Sequence, residues 1–267
     1  TTPEPLSYVT GLIAAHAAGY TGDHMHLGWF APLHDDCDDA LGRAQTAMVE
    51  RHLHHAAVQD GAVILDIGCG LGGTLRMLNE RRSGTRLIGV NIDPRQLVVA
   101  QRLTALNGNS LEWITADAAA FAGPGLSCDI LLSVEAMFHF PDLTGFLQAV
   151  AQVVRPGGRA VISTILLSAD GQADLVRSVA VVARGYAPWP LPDLTLPQLL
   201  GKIDAAGLVR TQLVAAGAGT EQNAGFTDRD ARLVGVHHIQ CTSLDHVDEC
   251  HARGLIQHQG TVYRAGE

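Results

Sequence analysis

Residues 65–74 read LDIGCGLGGT, and this stretch decides the fold class of the chain. Gly68, Gly70 and Gly73 fit the G-x-G-x-x-G pattern of a tight turn between a strand and a helix, which holds dinucleotide phosphates in many folds. An aspartate, Asp66, stands two residues before the first of these glycines. The pattern therefore predicts a nucleotide-type site and leaves open which adenosine-bearing cofactor the loop holds.

On both sides of this loop, strand and helix patterns alternate along the chain. Helices are predicted at about residues 72–80, 94–108 and 143–154, and RPGG is predicted as a turn. Five apolar runs read as buried strands: AVILDIG, RLIGVNI, LEWITAD, CDILLSVEA and RAVISTILL. Such alternation predicts an α/β fold with a doubly wound, Rossmann-like sheet of seven mostly parallel strands and helical lid segments.

The two ends of the chain give weaker patterns. A short helix is expected over Pro5–Ala17, and a second helix is expected to run from Asp38 or Asp39 to about Ala57. Toward the C-terminus, LTLPQLLGKIDAAG reads as a helix, and LVRTQLVAAG and GTVYRAG read as two late strands. Between those strands we expect Asp228–Gly254 to be helical.

The composition excludes several classes of protein. The 267 residues include 27 acidic and 18 basic side chains, Lys202 is the single lysine, and no basic residue precedes Arg43. A nucleic-acid partner needs a basic stripe, which this sequence lacks, and no apolar run approaches the ~20 residues of a membrane span. The start, TTPEPLSYVT, does not resemble a secretory signal, and five irregularly spaced cysteines favour reduced thiols. We therefore expect a cytoplasmic protein without nucleic-acid or membrane partners.

Asp66 favours a cationic cofactor. A dinucleotide would place its pyrophosphate on the N–H groups at the helix start, where a nearby carboxylate would repel it. S-adenosyl-L-methionine (SAM) has no phosphate and carries a sulfonium and an ammonium, which a carboxylate attracts. Asn91, at the end of the second strand, offers an acceptor for ribose hydroxyls where an acid is more common, and Asp93 follows it. Asp117 suits an adenine amino group; a backbone-capping role for Asp66 or Asp117 stays open.

The whole series of motifs resembles that of class I SAM-dependent methyltransferases. Between about Ala62 and Leu167, the family's segments occur in the expected order: VILDIGCGLGGT, GVNIDPRQ, ITADA, SVEAMFHFPD and VVRPGGRAVI. DHMHLGWF and EAMFHFPD resemble the small-molecule branch, which includes sugar O-, glycine N- and terpenoid C-methyltransferases. Thr164 stands where some sugar-modifying members have an aspartate, which weakens a sugar-hydroxyl acceptor. The resemblance implies SAM as the cofactor, with contacts at Asp66, Gly68, Cys69, Gly70, Asn91, Ile92, Gln96, Asp117, Ala118, Ser133 and Trp29.

The resemblance also implies a domain organisation. Residues 1–40 would form an N-terminal lid over cofactor and substrate, and residues 41–267 would form the methyltransferase domain. Within that domain, lid insertions are expected at about 166–205 and 220–256. A homodimer through these helical lids stays open, as does the structure of residues 220–256.

Methyl transfer to a hydroxyl, an ammonium or an acidic carbon also requires removal of a proton, for which histidine titrates in the right range. We expect His139 to take that proton, because it follows the fourth strand in the loop that faces the methyl group in this fold. Tyr20 is the second catalytic candidate, as orienter or base, since the HLGWF segment folds over the cofactor in this branch. Substrate contacts are expected at Glu135, Phe138 and His26. Backbone bonding by His139 and plain packing or helix-start roles for Tyr20, Phe138 and Glu135 are the alternatives.

Two clusters allow a metal-assisted alternative. HDDCDD at residues 34–39 reads as a solvated acidic helix start, which the helix dipole favours. HHIQCTSLDHVDECH lacks a regular zinc-ligand spacing, and we assign no metal to its candidate ligands, which are His238, Cys241, His246, Cys250 and His251. A metal there would favour C-methylation of a keto acid or another enolisable substrate.

The sequence as a whole predicts an enzyme that uses SAM to methylate a small metabolite on oxygen, nitrogen or carbon, in specialised metabolism. A prenyl diphosphate acceptor is disfavoured because it would need several basic residues or Mg²⁺ near the lid. Residues 1–40 hold no Lys or Arg, and the insertion at about 166–205 holds only Arg177, Arg184 and Lys202. Two other classes remain: a SAM-binding partner or sensor that transfers no methyl group, and a nicotinamide oxidoreductase, which Asp66 disfavours.

Overall fold

The structure is a computed structural model, and the residues that it describes are 7–26, 28–29, 39–166, 194–215, 221–223 and 233–239. These residues form one sheet covered by helices on both faces. None of the described helices combines the length and the apolar character that a bilayer crossing requires.

The sheet has eight described strands in the order β3-β2-β1-β4-β5-β8-β6-β7. All neighbouring pairs are parallel except β6 and β7. The bounds are β1 Val63–Ile67, β2 Arg86–Asn91, β3 Ser110–Thr115, β4 Cys128–Ser133, β5 Val154–Ile165, β6 Val209–Ala215, β7 Glu221–Asn223 and β8 Leu233–Ile239. The predicted doubly wound, mostly parallel α/β architecture is confirmed, whereas seven strands is not the number described.

In the described part of the chain, six α-helices connect these strands or precede them: α1 Ser7–Ala17, α2 Ala40–Ala56, α3 Gly73–Arg81, α4 Pro94–Ala100, α5 Leu143–Val153 and α6 Leu196–Ala205. Their starts follow ordinary capping chemistry. Asp93 accepts a hydrogen bond from the Arg95 N–H at the start of α4. A capping box joins Thr195 and Gln198 at the start of α6.

Successive residues of β1 serve opposite faces of the sheet, because side chains alternate along a strand. Ile64 is buried in a cluster with residues of α2 and α3. Leu65 is buried in the larger cluster that holds Phe146 of α5 and Ile203 of α6. Truncating a fully buried leucine of this kind to alanine costs about 2–5 kcal/mol. These two layers fix β1, and with it the loop that follows β1.

Three predicted elements differ from the structure. Helix α4 ends at Ala100 rather than near residue 108, because the Asn79 side chain binds the backbone beyond it, donating to the Thr104 carbonyl and accepting from the Leu106 N–H, both at 2.9 Å. The prediction of a helix over residues 228–254 is wrong for Leu233–Ile239, which form strand β8. Their sequence, LVGVHHI, is rich in β-branched residues, which favour strands. RPGG lies inside β5, where the register with β4 shifts between Cys128 and Ile130.

Other predicted elements are only partly described. Helix α6 lies within the predicted lid insertion at 166–205, and its residues Leu199 and Ile203 are buried in the α5-side core. Residues 167–193 and the predicted strand GTVYRAG lie outside the described residues. The division into lids and a main domain therefore stays a prediction.

Candidate functional site

The turn after β1 requires glycine. Gly68, Gly70 and Gly72 have φ angles of 76°, 56° and 89°, in the left-handed region that favours glycine. The Gly68 and Cys69 N–H groups both donate to the Val90 carbonyl, at 2.8 and 3.1 Å. A Cβ at Gly68 would collide with the Cβ of Ala136. The loop is thus held tightly between the ends of β2 and β4, with helix α3 starting directly after it.

Asp66 is a buried carboxylate without a counter-charge in the described residues. It lies in the middle of the sheet, opposite Gly89 of β2 and Leu132 of β4. Its side chain is 2% exposed, and its Oδ2 atom has no hydrogen-bond partner among the described residues. Burial raises the pKa of Asp66 to about 7. A cationic ligand in the adjacent cleft would supply the missing partner.

The N-terminal segment closes this cleft from the other side. Asp23–His26 line the same cleft as Asp66 and the glycine loop, and the Met25 side chain lies over Gly70. The Gln45 side-chain amide of α2 donates to the carbonyls of His24 and His26, at 3.2 and 2.6 Å. The segment is therefore docked on α2 through its own backbone.

Trp29 continues this docking. The backbone N–H of Trp29 donates to the Ala44 carbonyl at 2.8 Å. Its ring packs in a cluster with Met48 and Val134, and the Arg51 guanidinium lies 3.5 Å from the ring centroid. The structure brings Trp29 to the edge of the cleft, because Val134 is one of the cleft residues. A direct contact between Trp29 and a cofactor stays a prediction.

Three histidines meet between this segment and α2. The rings of His24 and His26 lie 5.0 Å apart, and neither nitrogen of His26 has a hydrogen-bond partner among the described residues. Burial lowers the pKa of His26 well below its ordinary value, and the neighbouring His24 and His52 lower it further. Burial also lowers the pKa of His52 to about 4, although its Nδ1 bonds the Met48 carbonyl. His26, predicted to contact substrate, is thus a neutral side chain in the wall of the cleft.

Polar side chains at the end of β2 form a hydrogen-bond network. Asn91 donates from Nδ2 to the Gln96 Oε1 at 2.9 Å and accepts the Asp93 N–H on Oδ1 at 3.0 Å. Asn91 also bonds the Cys69 thiol, whose pKa burial raises well above its ordinary value. The structure therefore brings together four predicted cofactor residues, since Ile92 follows directly. Asn91 can still accept a ribose hydroxyl, because a carbonyl oxygen has two lone pairs.

Asp117 and Ala118 follow β3 as predicted. Asp117 caps the local turn by accepting the Ala119 N–H at 2.8 Å, and Ala118 is buried. The backbone-capping role considered for Asp117 is therefore present in the structure. Whether its carboxylate also accepts from an adenine amino group stays a prediction.

The end of β4 carries the remaining predicted residues. Ser133 is fully buried, and its hydroxyl has no hydrogen-bond partner among the described residues. Glu135 has a φ of 48°, and its N–H donates to the Ser163 hydroxyl at 2.8 Å. Phe138 and His139 lie in a short 3₁₀ helix, Met137–His139, with Phe138 buried. The residues after Glu135 pack on the glycine loop, because a Cβ at Gly68 would meet Ala136 and Phe140.

The structure gives a different aromatic partner for His139 than the sequence did. Tyr20, the second catalytic candidate, is 86% exposed, so its ring is not packed against a site. Instead Tyr8 of α1 stacks on His139, with ring centroids 5.7 Å apart and planes inclined by 17°. Tyr8 was not among the residues that the sequence predicted for the site, since it lies outside the HLGWF segment. The signal that was available was a tyrosine at the start of a predicted helix in the expected lid.

No metal site is found in the described part of the chain, where no group of three or more histidine, cysteine or acidic side chains could hold an ion. The HDDCDD cluster, apart from Asp39, lies outside the described residues. So do Cys241, His246, Cys250 and His251, and only the backbone of His238 is described. Cys69 and Cys128 are free thiols.

Comparisons with known proteins agree with this geometry. Residues 65–162 match the family model described as a methyltransferase domain. The chain is 30% identical over 206 residues to 2-methyl-6-phytyl-1,4-hydroquinone methyltransferase of Synechocystis sp., covering 74% of this chain and 62% of that protein. It is 31% identical over 156 residues to ubiquinone biosynthesis O-methyltransferase of Cereibacter sphaeroides, covering 57% and 60%.

Solved structures show the same fold. The mycolic acid cyclopropane synthase CmaA1, complexed with SAH and CTAB, superposes with a TM-score of 0.59 at 19% identity, covering 72% of this chain and 69% of that one. The chain spans about three fifths of the length of the two curated relatives. At this identity the structural likeness shows the fold, and the activity has to be argued from the site.

Proposed function

We propose that this chain, whose residues 65–162 form a class I methyltransferase domain, binds SAM at the glycine loop and methylates a small molecule. The single observation that carries the proposal is the buried, unpartnered carboxylate of Asp66 beside a loop that excludes side chains. A buried carboxylate is stable in its charged form only with a positive partner. CmaA1, which has the same fold, is complexed with SAH, and this supports a cofactor of the SAM type.

The residues present fit SAM. The bare backbone at Gly70, which Met25 covers, would let a ligand approach the loop once that side chain moves, and the N-terminus of α3 offers N–H groups. Asp66 attracts the ammonium, directly or through water. Asn91 and Asp117 stand at the neighbouring strand ends for ribose and adenine. Because Met25 lies over Gly70, the N-terminal segment has to move outward before the cofactor binds.

When bound, SAM supplies a methyl group on a sulfonium, so that transfer leaves a neutral thioether. Transfer to an acceptor atom would break the carbon–sulfur bond and leave its electron pair on sulfur, so that the chain's residues would have to orient the acceptor and take its proton. His139 takes the proton that the acceptor releases. Phe138 and Glu135 hold the acceptor in line with the methyl group, and positioning of this kind supplies much of the rate.

We place the acceptor among small metabolites, in specialised metabolism. One relative is a 2-methyl-6-phytyl-1,4-hydroquinone methyltransferase and another is an O-methyltransferase of ubiquinone biosynthesis, which makes phenols and hydroquinones the first acceptors to try. The cytoplasm stays the expected location on the basis of the free thiols of Cys69 and Cys128. Partners beyond a small molecule are not proposed.

The test is transfer of a tritiated methyl group from SAM to a panel of hydroquinones, phenols, amines and keto acids. His139→Ala is the matched variant, since it removes the base and leaves the glycine loop unchanged. We expect product with at least one acceptor, and a loss of about 10²–10⁴-fold in kcat in His139→Ala. S-adenosylhomocysteine (SAH) should bind both proteins with the same affinity. Full transfer by His139→Ala would refute the role of His139, and failure of SAM and SAH to bind would refute the whole proposal.

A further inference from the structure

We propose that Tyr8 is a positioning residue for His139, and that helix α1 carries it into the acceptor side of the site. The inference rests on the proposed function, in which His139 takes the acceptor's proton. It assigns a role in the reaction to α1, in place of the exposed Tyr20.

Two aromatic rings contact the imidazole of His139. Tyr8 lies nearly parallel to the imidazole, with centroids 5.7 Å apart, and the Phe138 ring lies 4.2 Å away at 42°. Aromatic rings at such separations attract one another by their quadrupoles and by burial. Contacts with these two rings restrict rotation of the imidazole. A base held in one orientation is what a positioned proton transfer requires.

Helix α1 is anchored so that Tyr8 stays in this place. Val9, the next residue, is fully buried. Arg95 donates from Nη1 to the Thr10 hydroxyl at 2.8 Å. The same guanidinium is paired with Asp93, the residue that caps α4 at the end of β2. Arg95 therefore links the helix that holds Tyr8 to the end of β2, where Asn91 is the proposed ribose contact.

The Tyr8 hydroxyl does not serve as a base. Burial raises the pKa of Tyr8 to about 12, and the Asp93 carboxylate adds to that shift. The phenol therefore keeps its proton at any physiological pH. What Tyr8 contributes is its ring, and a variant that keeps the ring should keep the contribution.

The first measurement is proton NMR of the His139 ring in the full chain, assigned by the signal that disappears in His139→Asn. A stacked tyrosine shifts the imidazole carbon-bound protons upfield. We expect Tyr8→Leu to move these signals downfield and Tyr8→Phe to restore them. Carbethoxylation of His139 by diethyl pyrocarbonate should be faster in Tyr8→Leu, because one face of the ring is then open. Unchanged His139 signals and an unchanged modification rate in Tyr8→Leu would overturn the proposal.

The second measurement is methyl transfer to a phenol or hydroquinone that the wild-type chain methylates. Loss of orientation should lower kcat about tenfold in Tyr8→Leu, with the Kd for SAH unchanged and with activity restored in Tyr8→Phe. Equal kcat in Tyr8→Leu and wild type, alongside a loss in His139→Ala, would overturn the role of Tyr8 while leaving the proposed function intact. If the wild-type chain binds no SAM, the proposed function fails, and the NMR comparison still decides whether Tyr8 orients His139.

Discussion

We predict that the affinity of the chain for SAH falls steeply as the pH drops from 7 to 5, because the cleft then loses the charge of Asp66. The ligand's ammonium remains protonated throughout this range, since an α-amino group has a pKa of about 7.7–8.0. Asp66 has no counter-charge in the described residues, and burial raises its pKa to about 7. The protein's carboxyl is thus the group whose charge limits binding.

The size of the effect follows from that pKa. Half of the Asp66 carboxyls are ionised at pH 7, about one tenth at pH 6 and about one hundredth at pH 5. A ligand that binds only the ionised form has an apparent Kd equal to its intrinsic Kd divided by that fraction. The Kd for SAH should therefore rise about fivefold between pH 7 and pH 6, and about 50-fold between pH 7 and pH 5.

The assay is isothermal titration of the chain and of Asp66→Asn with SAH at pH 5, 6 and 7. The asparagine variant should bind about 10- to 100-fold more weakly at pH 7, for loss of a charged hydrogen bond. The change in its Kd with pH should also lack the contribution of Asp66. Any slope that remains belongs to His24 and His26, which line the same cleft. A Kd that is constant from pH 5 to 7 in the wild type, or an equal slope in both proteins, would refute this reasoning.

The ligand-free protein gives a check of the same shift. The folded-state pKa of Asp66 lies above the unfolded value, so the native state binds the extra proton between about pH 4 and pH 7. Its stability therefore falls as the pH rises through that window. Asp66→Asn should exceed the wild type in free energy of unfolding at pH 8, by on the order of 3 kcal/mol, with the difference shrinking toward pH 4. Urea unfolding at the two pH values measures it, and a difference independent of pH would contradict the shift.

Three further predictions concern the fold around the site. Gly89→Ala should destabilise the chain by about 1–3 kcal/mol, because its Cβ would lie 2.5 Å from the Trp113 ring, whereas Gly201→Ala, in open space on α6, should stabilise it by about 0.4–1 kcal/mol; thermal unfolding of both variants decides. His52 has a folded-state pKa of about 4, so the free energy of unfolding of the wild type should fall by up to about 3 kcal/mol relative to that of His52→Phe as the pH drops from 6.5 to 4. A stability difference between the two proteins that is the same at both pH values would contradict this. Gln45→Ala should speed amide hydrogen exchange in the N-terminal segment about tenfold, since the two hydrogen bonds from the Gln45 side chain to the His24 and His26 carbonyls are lost. Unchanged exchange would show that other contacts hold the segment.

The core of the fold could be predicted from the sequence because its signals are local. The strand–loop–helix around Gly68 follows from a buried apolar run, glycines at positive φ and a helix start. The resemblance to class I methyltransferases is confirmed over residues 65–162. The residues predicted for the ends of β1 to β4 do lie at one edge of the sheet, because carboxyl ends of parallel strands share that edge.

The differences from the sequence predictions have tertiary causes. Tyr8 stacks on His139 because α1 is docked through Val9 and Arg95, whereas the role of Tyr20 stays a prediction. Helix α4 ends early because Asn79, on another helix, binds the backbone beyond it. No periodicity within either segment carries that information.

The central claim is that the glycine-loop cleft binds SAM, and the most direct test is titration calorimetry of the purified chain with SAM. NADH serves as the competing ligand class. Gly68→Val is the variant with a disrupted glycine loop, because any Cβ at that position collides with Ala136. Circular dichroism checks that this variant is folded. We predict micromolar binding of SAM to the wild type, no binding of NADH, and loss of SAM binding in a folded Gly68→Val. Binding of NADH without SAM, or equal SAM binding by Gly68→Val, would contradict the claim.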